Sequence, residues 1–179
     1  MKKLRFIAAL CAIGLFFASC GKEDNEGNGA KNYITYGNET SSINVGPCGF
    51  VNELHMLDNM PGYHFDADFT FGEVNSHIFL NISSACKDKK VDLSRSDVST
   101  PYTFEINSSA EAGYPYDIHQ YCNSYYPDEV GHSSVGTWFK TGTMELKDDG
   151  TTLSLDVDAT LQDGRTFKMN ITTQSTIFE

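Results

Sequence analysis

The feature that most constrains this chain is an unbroken alternation near its C-terminal end. Leu153, Leu155, Val157, Ala159 and Leu161 interleave with Thr152, Ser154, Asp156, Asp158 and Thr160. A two-residue period places the apolar set on one face of a β-strand and the polar set on the other. The neighbouring segments then have to obey parity, because a register slip of one residue turns every side chain to the wrong face. Asp149-Gly150 carries the signal of a two-residue type I′ turn, which sets Leu146 against Leu153 and Met144 against Leu155. A similar turn at Asp163-Gly164 fails the parity test, since it would place Phe167 opposite Thr160. A three-residue loop, Gln162-Asp163-Gly164 with Gly164 in the left-handed region, restores Ala159 to Phe167 and Val157 to Met169. It also sets Asp158 across from Lys168. The expectation is a three-stranded C-terminal meander.

The same period recurs upstream. Phe65, Ala67, Phe69 and Phe71 alternate with His64, Asp66, Asp68 and Thr70, and Ile78, Leu80 and Ile82 form the apolar face of the next run. An even-length loop keeps both sets on one side, and four residues, Glu73 to Ser76, would pair Phe71 with Ile78 and Phe69 with Leu80. Tyr33 to Tyr36 and Ser42 to Val45 read as a hairpin about Gly37-Asn38. Gly46-Pro47-Cys48-Gly49 breaks the pattern. Phe50 to Met60 fits a helical face at Val51, Leu54 and Leu57 as well as it fits a strand. Lys87 to Asp97 reads as a charged loop with a short strand around Val91 and Leu93. Tyr102, Phe104 and Ile106 alternate again, whereas Ser108 to Ser134 shows no period. Eight to ten short strands without a long amphipathic helix predict an all-β domain, an antiparallel β-sandwich or partly open barrel.

The first twenty residues obey a different logic. Lys2, Lys3 and Arg5 precede an apolar run from Phe6 to Ala18, and the order is that of a secretory leader. A helix there would span roughly 20 Å against a hydrocarbon thickness of about 30 Å, too short for a comfortable membrane crossing. Phe17-Ala18-Ser19-Cys20 resembles the lipobox of bacterial lipoproteins, with Phe17 where Leu is usual. The resemblance implies cleavage before Cys20 and acylation of its thiol. Gly21-Lys22-Glu23-Asp24 is similar to the tether of Bacteroidetes-type surface lipoproteins. The Tyr-Ile-Thr-Tyr-Gly opening and the Leu161-Gln162-Asp163-Gly164 turn resemble the ends of small lipoproteins of that group. This likeness implies a lipid anchor in the outer membrane with the domain at the cell surface, or alternatively at the periplasmic face. The expected organisation is a signal peptide over 1–19, an acylated cysteine and acidic tether over 20–31, and one all-β domain over 32–179.

Loss of the leader would leave 10 basic residues against 24 acidic ones, taking the formal charge from −11 to −14. Such a surface repels nucleic acid and anionic headgroups, so no nucleic-acid partner is expected. Cys48, Cys86 and Cys122 would remain, enough for at most one internal bridge, and sequence does not choose among the three pairings.

The foremost binding candidate is the segment Gly113 to Glu129, where Tyr114, Tyr116, Tyr121, Tyr125 and Tyr126 stand among Asp117 and His119. Flat rings beside hydrogen-bonding groups suit a glycan or a protein partner. His64, Asp66 and Asp68 share a strand face and are weak metal candidates. However, Asp66-x-Asp68-x-Thr70 lacks the glycine that an EF-hand loop requires, since Phe71 stands there. The chain has no Gly-x-Ser-x-Gly, His-Glu-x-x-His or phosphate-binding loop. The expectation is a non-enzymatic binding module without a cofactor, anchored to the membrane and directed to a glycan or protein. The alternatives are a subunit of an envelope complex and a hydrolase built from scattered acids.

Overall fold

The computed structural model describes residues 32–94, 97, 99–108, 118–122 and 139–178. Among them are eleven strands and two single 3-10 turns, so the domain is all-β. The strands are β1 (Tyr33–Tyr36), β2 (Glu39–Leu54), β3 (Met60–Phe71), β4 (Val74–Ser83), β5 (Lys90–Asp92), β6 (Tyr102–Ser108), β7 (Ile118–Cys122), β8 (Phe139–Asp148), β9 (Thr152–Leu161), β10 (Thr166–Gln174) and β11 (Ile177–Phe178). They hydrogen-bond in the order β5-β8-β9-β10-β1-β2-β3-β4-β6-β7, and β11 lies parallel to β2. The path curls into a half-barrel, in keeping with the sandwich or partly open barrel expected. The turning point is β2, whose first residues pair with β1 and whose later ones pair with β3.

Alternation explains the curl. Each strand of this sheet presents one apolar face, and curling brings those faces together into a single core. Phe104 on β6 meets Phe139 on β8 and Phe167 on β10 edge-on, at centroid distances of 5.3 and 5.7 Å. Residues from opposite halves of the strand order thus touch at the centre, and all three rings are fully buried.

The C-terminal meander forms as parity demands. Ala159 pairs with Phe167, Val157 with Met169, and Asp158 with Lys168. Gly164 takes a φ of +88°, closing the three-residue loop, and Lys168 Nζ lies 3.1 Å from Asp158 Oδ2. Two other turns differ from expectation by two residues each. The β8–β9 connection is a four-residue loop, 149–152, pairing Leu146 with Leu155 and Met144 with Val157. Carboxylates supplement the backbone bond from Asp149 N–H to the Thr152 carbonyl (3.2 Å): Asp149 Oδ1 accepts from the amides of Thr151 (2.8 Å) and Thr152 (2.7 Å), and Asp148 Oδ1 from Gly150 (2.9 Å). The β3–β4 turn is shorter than expected, with Phe71 opposite Val74 and only Gly72-Glu73 between. Gly72 has a φ of +59°, the conformation a tight turn needs. Ala67 therefore faces Ile78 and Phe65 faces Leu80. Both corrections are even-numbered, so each apolar set stays on the core side.

Gly46 to Gly49 does not end a strand; it is an irregularity within β2, where the register with β3 shifts between Val45 and Cys48. Phe50 to Met60 is mostly extended, with a 3-10 turn at His55–Leu57 that buries Leu57. The aperiodic stretch Ser108 to Ser134 contains a strand, β7, paired to β6.

Candidate functional site

The hairpin β3–β4 and its neighbour β6 turn their polar positions away from the core. Cross-strand register sorts these positions into rows. Asp68 stands opposite His77, which stands opposite Asn107; Asp66 stands opposite Phe79, which stands opposite Glu105; and His64 stands opposite Asn81, which stands opposite Thr103. Alternate residues on a strand are about 7 Å apart, so the rows make one continuous patch.

His77 organises its acidic side. Its Nδ1 lies 3.0 Å from Asp68 Oδ1, and its Nε2 lies 3.7 Å from Asp66 Oδ1. One imidazole thus bridges two carboxylates on the adjacent strand. On the other side, His64 Nδ1 is 3.1 Å from Asn81 Oδ1, and Asn81 Nδ2 donates to Thr103 Oγ1 at 3.2 Å. Asn81 and Thr103 are buried, and the hydrogen bonds satisfy them there. Phe79 lies between the two histidines. The His64 ring meets it edge-on at 4.7 Å, and the His77 ring lies at 6.5 Å with a tilt of 33°. Phe79 is half-buried, so an aromatic surface remains open to solvent within a polar frame.

A cleft of about 560 Å³ opens at the His77 end, lined by Asp68, Phe69, Thr70, Asn75, Ser76, His77 and Asn107. Thr70 Oγ1 donates to Asn75 Oδ1 at 3.0 Å. Ser76 is only 4% exposed, and its hydroxyl has no hydrogen-bond partner among the described residues. Beneath Asp66, the Cys48 thiol points to the Asp66 carbonyl at 3.6 Å. Burial pushes this free thiol up to about 11; its bond to the carbonyl opposes the rise and the Asp66 carboxylate adds to it.

Of the tyrosine-rich candidates, Tyr114, Tyr116, Asp117, Tyr125 and Tyr126 lie outside the described residues, as does Cys20 with its leader. The backbone of His119 and Tyr121 belongs to β7, opposite Glu105 and Thr103 respectively. The tyrosine-rich segment is therefore joined in register to the sheet that carries the Phe79 patch. His64, Asp66 and Asp68 do share a face, as their spacing implied. Yet among the described residues no three His, Cys, Asp or Glu side chains are grouped so as to hold a metal ion. Cys48 and Cys86 are both buried, in β2 and in a 3-10 turn, and Cys122 lies in β7.

Sequence reading missed His77 and Phe79. The signal that would have found them is the hairpin register. A four-residue turn sets Asp68 against Asn81, whereas the two-residue turn that forms sets it against His77.

Fold and site together define a curled, all-β domain with an aromatic and acidic patch on its wet face. No family model, no curated protein and no solved structure matches the chain.

Proposed function

We propose that this chain is a lipid-anchored outer-membrane protein whose β-domain binds an extracellular glycan or protein at the cell surface, without catalysing a reaction. The observation that carries the binding role is the solvent-side patch. A half-buried Phe79 lies between two imidazoles and is framed by Asp66, Asp68, Asn107 and Glu105. Such a surface offers stacking area and directional hydrogen bonds together, which is what recognition of a polar, ring-shaped or extended ligand requires. β7, paired to β6, belongs to the tyrosine-rich segment, whose composition offers further aromatic side chains for contact. The anchor rests on the leader and on Cys20 in its lipobox-like setting. Two acyl chains or more hold a protein to a membrane stably, so acylation at Cys20 would keep this domain at the envelope.

The anchor is tested by metabolic labelling with a radioactive fatty acid. Label incorporated by the parent and absent from Cys20→Ala is expected, and equal label in both removes the anchor. The binding role is tested on a glycan array and by crosslinking in intact cells. Specific capture that weakens in Phe79→Ala or in the Tyr125→Ala/Tyr126→Ala double variant is expected. A protein that captures nothing by either route is not a binding module.

A further inference from the structure

We infer that the cleft beside His77 is a subsite for a neutral saccharide, with one pyranose ring in the cleft and the chain continuing over Phe79. This deepens the binding role proposed above by naming the ligand class and its seat.

The volume comes first. About 560 Å³ lies within the ordinary range for small-ligand sites, roughly 300–1,000 Å³. The lining chemistry narrows the class. Asp68 accepts the His77 N–H through Oδ1, which orients the carboxylate and leaves Oδ2 to receive a ligand hydroxyl. Thr70 holds Asn75 by its oxygen, which turns the Asn75 amide nitrogen outward as a donor. Asn107 adds a second amide on the far side of His77. The cleft is lined by both donors and acceptors, and a polyhydroxyl ring can use both at once. A cation uses only the acceptors.

Charge completes the argument. Asp66, Asp68 and Glu105 surround the patch in a chain of net charge −11, so uronic and sialic acid units are repelled. The flat C–H face of a neutral pyranose suits the Phe79 ring, and its hydroxyls suit the frame.

The test is calorimetric titration of the full-length protein in detergent with maltotriose, cellotriose, mannotriose and xylotriose, and with trigalacturonate as the anionic comparison. Binding of at least one neutral trisaccharide and none of trigalacturonate is expected. Affinity should fall about tenfold or more in Asn107→Ala and in Phe79→Ala. Binding that survives Asn107→Ala and Phe79→Ala but is lost in Tyr125→Ala/Tyr126→Ala overturns the cleft and leaves the broader binding role standing. Failure to bind any saccharide, with a crosslinked protein partner recovered, overturns the ligand class alone. Failure of both overturns the two readings together.

Discussion

A side-chain hydrogen bond stitches the two halves of the curled sheet, and its contribution can be worked out before it is measured. Tyr63 on β3 donates its hydroxyl to Asp148 Oδ2 at the end of β8, at 3.2 Å and across 85 positions of sequence. Tyr63 is buried, so its hydroxyl has little access to water. Hydrogen bonds to charged groups contribute about 1.5–3 kcal/mol. Strong O–H···O⁻ bonds are shorter than this one, which places it at the low end, about 1.5 kcal/mol. Tyr63→Phe should therefore cost about 1.5 kcal/mol, since Asp148 keeps the Gly150 amide at 2.9 Å. Asp148→Ala should cost about 3 kcal/mol, because it also loses the turn bond and leaves the Tyr63 hydroxyl buried and unpaired. Urea unfolding of both single variants and the double variant at pH 7 yields the coupling, expected at about 1.5 kcal/mol. A coupling near zero refutes the assignment.

The pH dependence gives a second check with a fixed sign. Burial alone would raise the Asp148 carboxyl, but the Ser175 hydroxyl, the Gly150 amide, the Tyr63 hydroxyl and Lys87 together hold it below the usual carboxylate value. A carboxyl depressed in the fold stabilises above its unfolded pKa of about 3.9, and that contribution is lost as pH falls through the folded value. Tyr63 behaves in the opposite sense: burial first, then the Asp148 carboxylate, pushes it up to about 12. Its contribution is complete below the unfolded value of about 10 and disappears as pH rises toward 12. Stability of the parent should therefore fall in that alkaline window. Tyr63→Phe should lack this loss, and Asp148→Ala should show it displaced to lower pH. An alkaline loss that is the same in parent and Tyr63→Phe belongs to another group.

Three further outcomes are expected. Phe104→Ala should cost about 3–5 kcal/mol by urea unfolding, because it empties the point where β6 meets Phe139 and Phe167; a loss under about 2 kcal/mol would mean that the two halves collapse onto each other freely. Gly142→Ala should cost about 3 kcal/mol, since residue 142 has a φ of +151° and a new methyl would strike Ala159, whose Cα would be 2.6 Å away; Ala159→Gly should rescue only part of this, because the Ala159 Cα and the Asp158 carbonyl oxygen stay in place, and full rescue contradicts the backbone clash. The Cys48 thiol should resist a disulfide reagent at pH 8 in the native protein and react on denaturation, as a buried thiol raised to about 11 must; fast native reaction at Cys48, mapped by mass spectrometry, contradicts its burial.

Parity was the legible part of this sequence, and its limits are physical. Alternation states which face each residue takes, so the core side of β3, β4, β6, β9 and β10 could be read directly. It says nothing about shifts of two, because those preserve every face. The β8–β9 loop shows why such shifts occur. Asp148 and Asp149 satisfy three amides by side chain, so the N–H groups of the longer loop keep hydrogen-bond partners. The β3–β4 turn shows the converse. Ser76 fell within the four-residue loop that parity allowed, yet it occupies a core-side position in β4.

That one residue links the fold to the candidate site. Treating Ser76 as loop lengthens the turn and carries His77 away from Asp66 and Asp68. Treating it as strand brings the imidazole between the two carboxylates and Phe79 between the two histidines. A polar side chain on an apolar face works against strand stability unless it gains a partner. The tyrosine-rich segment lacks any such internal rule, since its residues alternate with no period. Only the pairing of β7 with β6, through Tyr102–Cys122 and Ile106–Ile118, fixes where that segment joins the sheet. Long-range pairing of this kind depends on the partner strand as much as on the segment itself. Composition could therefore mark the segment as chemically distinctive without naming the strand it pairs with.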